Sequence, residues 1–466
     1  MPHFLSARPD SRIIPLPWDL PLAQWPTDYL VALPRGISRH VVRFIKVGGD
    51  IYAAKEVLEH LAIHEYRMLT DIHRLHIPAV DPIGVVTDRI DSIGNPLDPV
   101  LITRHLEYSL PYRTLFDHGV RPKTVKRLLN AMVVLFIRLH LAGFLWGDVS
   151  LSNVLFRRDA KEFTAYLVDA ETAEMHETLS DGQREADLAI AEVNLYGEFC
   201  DLKAGGMLDD SLQPLKLAHS ILNRYRSLWS ELTDVQEFSG SEMYHLEDRI
   251  RKLNALGFDV AELDIDTSPD GSKISIQPKV VDAGYNSRRL LRLTGLDVQE
   301  NQARSLLNDL DTFRARHNLQ EVDEAIVGNQ WLTQCFQPVL AAVPEHLRGK
   351  RDSAQVYHEV LEHRWYAGEK AHREVSITEA ASMYVDEVLR KLPEEKVTLD
   401  PLPTNETGRM LVNPYDPSQG FVENDAPMPE DPWESQAADE EPTAQHGILD
   451  IEALRSKANR KADQQA

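Results

Sequence analysis

The chain has 466 residues, 43% hydrophobic and 26% charged, a globular composition longer than one ordinary core accommodates. Its formal net charge of −23 argues against a general nucleic-acid binder or an anionic membrane surface, and two cysteines, Cys200 and Cys335, argue against a disulfide framework or a cysteine zinc cluster. The first twelve residues lack an apolar signal core, and the most apolar stretch, 128–146, is interrupted by Arg138 and His140. A core helix is therefore expected there, with no membrane span and a cytoplasmic location.

Residues 1–28 carry Pro15, Pro17, Trp18, Pro21, Trp25 and Pro26, which predicts an extended segment pinned to a surface by its tryptophans. From residue 29, the β-branched runs "YLVAL", "HVVRFIKV" and "IYAAK" alternate with turn signals at Pro34–Gly36 and Gly48–Asp50, which predicts an antiparallel meander. A helix from Glu56 to Leu75 follows, with Leu58, Leu61, Ala62, Tyr66 and Leu69 on one stripe. Two further strands, in "IPAVDPIGVVTD" and "DPVLITRHL", complete a small sheet lobe over 29–106. Helices then dominate 107–232: one at 122–142, two short strands "NVLF" and "TAYLVD" around a charged turn "RRDAKE", and more helix over 184–232. A break near "DVQEFSGSE" suggests a domain boundary. Residues 241–391 read as a mainly helical domain with one hairpin, "FDVAELDID" and "SKISIQPKV" around "TSPDG". Residues 392–466 form an acidic tail; between 393 and 447 it holds nine prolines and thirteen acids against two bases, too little apolar material to order itself.

One constellation in the first half carries chemistry. Phosphoryl transfer from ATP needs a lysine on the α/β-phosphates and a carboxylate holding that lysine. It also needs an aspartate on the acceptor hydroxyl, and an asparagine and a second aspartate on magnesium, a hard cation that takes oxygen ligands. Lys55 ends the strand "IYAAK", Glu65 lies on the next helix, Asp148 and Asn153 sit in "WGDVSLSNVLF" after a long apolar helix, and Asp169 follows the strand "AYLV". Taken singly, each has an ordinary reading as a strand-end lysine, a helix-face acid or a polar turn; five in order and context are far more specific. This set resembles the protein-kinase-like superfamily. The resemblance covers residues 29 to 232 and implies ATP and Mg2+ as cofactors, Lys55 and Glu65 as the phosphate-side pair, Asp148 as the catalytic aspartate, and Asn153 and Asp169 as metal ligands.

The departures are specific. Gly147 before Asp148 is similar to the His-Gly-Asp of small-molecule and atypical kinases, Ser150 stands in the place of the usual loop lysine, and Asp169-Ala170-Glu171 replaces Asp-Phe-Gly. The phosphate-covering loop "LPRGISRHVV" has one glycine, Gly36, and Ser38 as its remaining candidate contact. Asp187 is the expected buried brace of the catalytic loop. Together with "VYHEVLEHRWYAGEKAHREVSITEAASMYVDEVL" in its C-terminal half, the chain resembles a bacterial lipopolysaccharide-kinase-like family with a C-terminal domain of unknown function.

"HEVLEHR" meets neither metalloprotease pattern, so His358, Glu362 and His363 are expected on a polar helix face. Arg351, Arg364, Lys370 and Arg373 are expected on a charged helix surface, and the stripe Leu332, Phe336, Val339 and Leu340 in core. The fold expected is α+β: a two-lobed protein-kinase-like domain, a mainly α-helical domain and a disordered acidic tail. The function expected is transfer of the γ-phosphoryl group of Mg-ATP to an acceptor hydroxyl on a small molecule, glycan or protein. The alternative is a pseudokinase scaffold that binds nucleotide and recruits a partner protein through its C-terminal domain.

Overall fold

A computed structural model describes residues 2–33, 40–116, 120–233, 284–392 and 395, together with the backbone of 236–238, 258–267 and 274–283. The expected phosphate loop around Gly36 and Ser38 lies outside these residues, as does the tail beyond Leu392 apart from Glu395.

The first lobe is a six-stranded antiparallel sheet in the order β1-β5-β6-β4-β3-β2. Its strands are β1 (His3–Leu5), β2 (Leu30–Val31), β3 (Val41–Val47), β4 (Asp50–Glu56), β5 (Pro82–Thr87) and β6 (Val100–Arg104). One helix, α1 (Glu59–Arg74), lies between β4 and β5. Alternation along the strands divides the lobe into two cores. Tyr52, Ala54, Val86, Val100 and Ile102 pack with Ile13, Leu16, Trp18, Leu22 and Trp25 of the N-terminal segment. Val85 and Leu101 face the other way, onto Ala62 and Tyr66 of α1. The tryptophans are thus more than surface pins. Trp18 and Trp25 are 3% and 4% exposed, and the segment supplies one side of the lobe's core. Buried Arg89 ties it down, donating to the Trp18 and Leu20 carbonyls and to Glu56.

The helix begins three residues later than its apolar stripe suggests. Glu56 still belongs to β4, where its carboxylate accepts from the Leu22 amide as well as Arg89. Leu58 is the N-cap, extended and 56% exposed, so it leaves the stripe.

The second lobe is built on α3 (Pro122–Leu141), α4 (Asp181–Ala204) and α5 (Pro214–Thr233), with the short α2 (Tyr112–Phe116) ahead of them. Strands β7 (Ser109–Pro111), β9 (Val154–Asp159) and β10 (Glu162–Leu167) form a sheet in the order β10-β9-β7, and β8 (Phe144–Leu145) pairs with β11 (Glu174–Met175). The charged stretch "RRDAKE" is mostly strand: β9 runs through Asp159 and the turn is reduced to Ala160 and Lys161. Its charges do not require solvent because they meet polar groups far along the chain.

Backbone pairing confirms the hairpin of β13 (Phe258–Thr267) and β14 (Ile274–Ala283). Beside β14 lies β12 (Gln236–Phe238), a strand where the sequence suggested a break. Helices α6 (Tyr285–Thr294), α7 (Glu300–Arg316), α8 (Glu324–Trp331), α9 (Gln337–Ala341), α10 (Ser353–Ala371) and α11 (Ile377–Glu387) follow. They share a core that includes Trp331, Tyr357, Tyr384, Phe336 and Val339, with Leu332 and Leu340 packed at its margin. The fold is α+β, a sheet lobe and a helical lobe followed by a helical region.

Candidate active site

Strand periodicity positions the lysine. In register, Lys55 lies opposite Leu101, on the α1 side of the sheet, because Ala54 and Ile102 take the other face. Lys55 Nζ is 2.9 Å from Glu65 Oε2 on α1, 2.8 Å from Asp169 Oδ2 and 3.1 Å from Glu171 Oε2. One ammonium thus serves three carboxylates. Burial opposes its charge, but Glu65 and Asp169 outweigh that and hold its pKa above the ordinary range. Glu65 is 1% exposed; burial first, and the Asp169 charge second, push its carboxyl up to about 8. A proton on Glu65 leaves two carboxylates for the one ammonium.

The catalytic-loop candidates form a second cluster. Asn153 Nδ2 donates to the Asp148 carbonyl at 3.0 Å and to Asp148 Oδ2 at 3.1 Å. The other carboxylate oxygen, Oδ1, accepts from Asn194 Nδ2 at 3.1 Å. Two backbone-level straps join the Asp148 loop to the Asp169 loop: the Val168 amide donates to the Asn153 carbonyl, and Thr172 Oγ1 to the Trp146 carbonyl. Gly147 makes this approach feasible. It adopts φ +79°, and a Cβ there would sit 2.8 Å from the Thr172 carbonyl oxygen.

One face of α4 shapes the loop from below. Asp187, 1% exposed, accepts from the amides of Trp146 and Gly147, each at 2.8 Å. Asn194 reaches Asp148 and the Val149 carbonyl. Glu198 accepts from the amides of Leu151 and Ser152 and from the Ser152 hydroxyl. Positions seven and eleven apart fall on one stripe of a 3.6-residue helix, so these three polar groups follow the loop in order. Burial keeps His140 below the usual imidazole range, hence neutral; Nε2–H then donates to Asp187 at 3.1 Å and Nδ1 accepts from the Tyr225 hydroxyl at 2.6 Å. Sequence reasoning anticipated Asp187 and missed Asn194 and Glu198. Their signal was available as polar residues on the α4 face that also carries buried Asp187.

Carboxylate and amide oxygens, the kind Asp169, Glu171 and Asn153 carry, suit a hard divalent cation and no soft one. Glu65, Asp169 and Glu171 offer oxygens within 4.8 Å of one another, the one such acidic or histidine cluster among the described residues. His358 and Glu362 make no such group; His358 Nδ1 is 2.8 Å from Ser305 Oγ inside the helical region. Arg364 and Arg373 pair with Asp309 and Glu379, whereas Arg351, expected on a charged helix surface, is buried and pairs with Glu395.

Residues 42–195, which hold all five residues of the constellation, match the lipopolysaccharide kinase (Kdo/WaaP) family. The module is lipopolysaccharide-kinase-like. Residues 227–389 match a domain of unknown function, DUF4032. A solved structure titled "WaaP in complex with acyl carrier protein" aligns with 49% of this chain and 90% of its own, at 16% identity and a TM-score of 0.32. No curated protein matches the chain. No described helix of the chain is long and apolar enough to cross a membrane.

Proposed function

We propose that the chain is a phosphotransferase that moves the γ-phosphoryl group of Mg-ATP to an acceptor hydroxyl. The carrying observation is the Lys55–Glu65 pair at 2.9 Å, with Asp169 at 2.8 Å from the same ammonium. Lys55 binds the α/β-phosphate oxygens, and Glu65 keeps its ammonium aimed across the cleft. Asn153 and Asp169 would hold magnesium, which would shield the triphosphate charge. Asp148 orients the acceptor hydroxyl; as the new P–O bond forms and the bond to ADP breaks, the hydroxyl proton passes to its carboxylate. The family match adds support for phosphoryl transfer, and its name makes a glycan hydroxyl the first acceptor to assay.

A second reading follows from Glu171. Its carboxylate lies 3.1 Å from Lys55 Nζ and 2.9 Å from His40 Nε2, where it competes with phosphate for the ammonium. In that reading the module binds nucleotide without turnover and the C-terminal region recruits a protein. Purified full-length protein with Mg-ATP separates the two. Hydrolysis or self-phosphorylation that disappears in Asp148→Asn, with the nucleotide-induced melting shift retained, is the expected result. A melting shift without turnover in wild type selects the scaffold, and neither signal defeats both.

A further inference from the structure

The helical region has no assigned role, and its contacts with the kinase-like module concentrate on one hairpin. Five consecutive residues at the tip of β9–β10 each bond to it. Arg157 pairs with Asp352 at 3.9 Å, and Arg158 with Glu395 at 2.7 Å. The Arg158 carbonyl accepts from Gln299 Nε2. Asp159, fully buried, accepts from the Gln302 amide at 2.8 Å and from Asn301 Nδ2 at 2.9 Å. Ala160, at φ +58°, has its amide and its carbonyl both held by the Gln355 side chain at 3.0 Å. Lys161 Nζ reaches Glu362 at 2.6 Å.

The same hairpin leads straight to the site. Asn153 immediately precedes β9, and Asp169 lies two residues past the end of β10. At its base Val154 pairs with Leu167, and the Val168 amide donates to the Asn153 carbonyl at 3.0 Å. β10 is an edge strand of its sheet; β9, α3 and the bonds of Leu167 to Pro78 and Val80 hold its base, and the helical region holds its tip. A side chain that binds both backbone groups of Ala160 fixes the turn, and a fixed turn fixes register down both strands.

We infer that the C-terminal helical region is a clamp that holds Asn153 and Asp169 in place through the β9–β10 hairpin. Asn301 and Gln355 are its positioning residues, since their side chains hold the Asp159 carboxylate and the Ala160 backbone, and their role in metal binding builds on the phosphotransferase reading. A buried carboxylate at the tip makes the grip specific, because Asp159 is tolerated in the interior only while its donors, Thr164 of the hairpin and Asn301 and the Gln302 amide of the helical region, satisfy it.

The test uses the full-length Asn301→Ala/Gln355→Ala chain, with Gln355→Ala alone as the milder variant should the double one not fold. Two readouts are taken: hydrogen exchange of the amides at 157–161 and 168, and magnesium titration of ATP binding by calorimetry. The expected result is a cooperative melt, faster exchange at Val168, about tenfold more magnesium for half-maximal ATP binding, and unchanged metal-free ATP affinity. Loosened tip amides with wild-type exchange at Val168, or with a wild-type magnesium requirement, overturn the clamp. A wild-type chain that binds no Mg-ATP defeats the phosphotransferase reading alone, and the Val168 amide then decides the clamp.

Discussion

Lys55 illustrates how far a single residue's setting reaches. The ammonium is surrounded by Glu65, Asp169 and Glu171, and Glu65 bears most of the burial. Its folded-state pKa of about 8 exceeds the ordinary 4.5, so the folded chain holds that proton more tightly than the unfolded one. Stability from this group is therefore greatest below the ordinary value and declines as pH rises through about 8. Without divalent cations, the melting temperature is expected to fall between pH 5 and pH 8, with a shallower fall in Glu65→Gln; equal slopes would reject the assignment. Asn194 makes a kinetic prediction. Removing its hydrogen bond to Asp148 Oδ1 leaves the carboxylate steered by Asn153 alone. Asn194→Ala is expected to lower kcat by about tenfold to a hundredfold with KM for ATP near wild type, since misorientation of a reacting group has that scale. A loss confined to KM would place Asn194 outside the catalytic loop's support.

Elements show where local pattern succeeds and where it stops. Sequence pattern located α1, α3 and the strands of the first sheet from residue 29 on, because apolar spacing reports directly which face is buried, but it missed β1 within the N-terminal segment. It misplaced the start of α1, where Glu56 stays in the strand to accept from Leu22 and Arg89. It also read "RRDAKE" as a charged turn, where most of it is strand. Those charges meet Asp352, Glu395 and Glu362, about two hundred residues away in sequence, and no local rule registers such partners. The short link between Trp146 and Asp148 carries its own prediction. A Cβ on Gly147 meets the Thr172 carbonyl while the backbone sits at φ +79°. Gly147→Ala is therefore expected to cost roughly 1–3 kcal/mol in urea unfolding and to loosen the loop carrying Asp148. Unchanged stability would mean the strap to Thr172 yields freely.

At the scale of the whole molecule, the N-terminal segment behaves as part of the sheet lobe. Trp18 stacks edge-on to Trp25 at 5.1 Å and lies in the core beneath β4, β5 and β6. Trp18→Ala is expected to cost about 3–5 kcal/mol, the usual scale for emptying a buried aromatic site, measured by chemical denaturation. A change below about 1 kcal/mol would return the segment to a surface strap.

The sequence by itself determined the kinds of group available and their order: a strand-end lysine, a helix glutamate, Asp148 and Asn153 in one turn, and an aspartate after a strand. Residue chemistry and apolar spacing are local properties, and they are written along the chain. Only the tertiary structure decided that Glu171 joins the lysine, that Asn194 and Glu198 line the Asp148 loop, and that Asn301 and Gln355 grip a hairpin tip. Those are pairings between distant segments, selected because buried charges and backbone groups must find partners once water is removed.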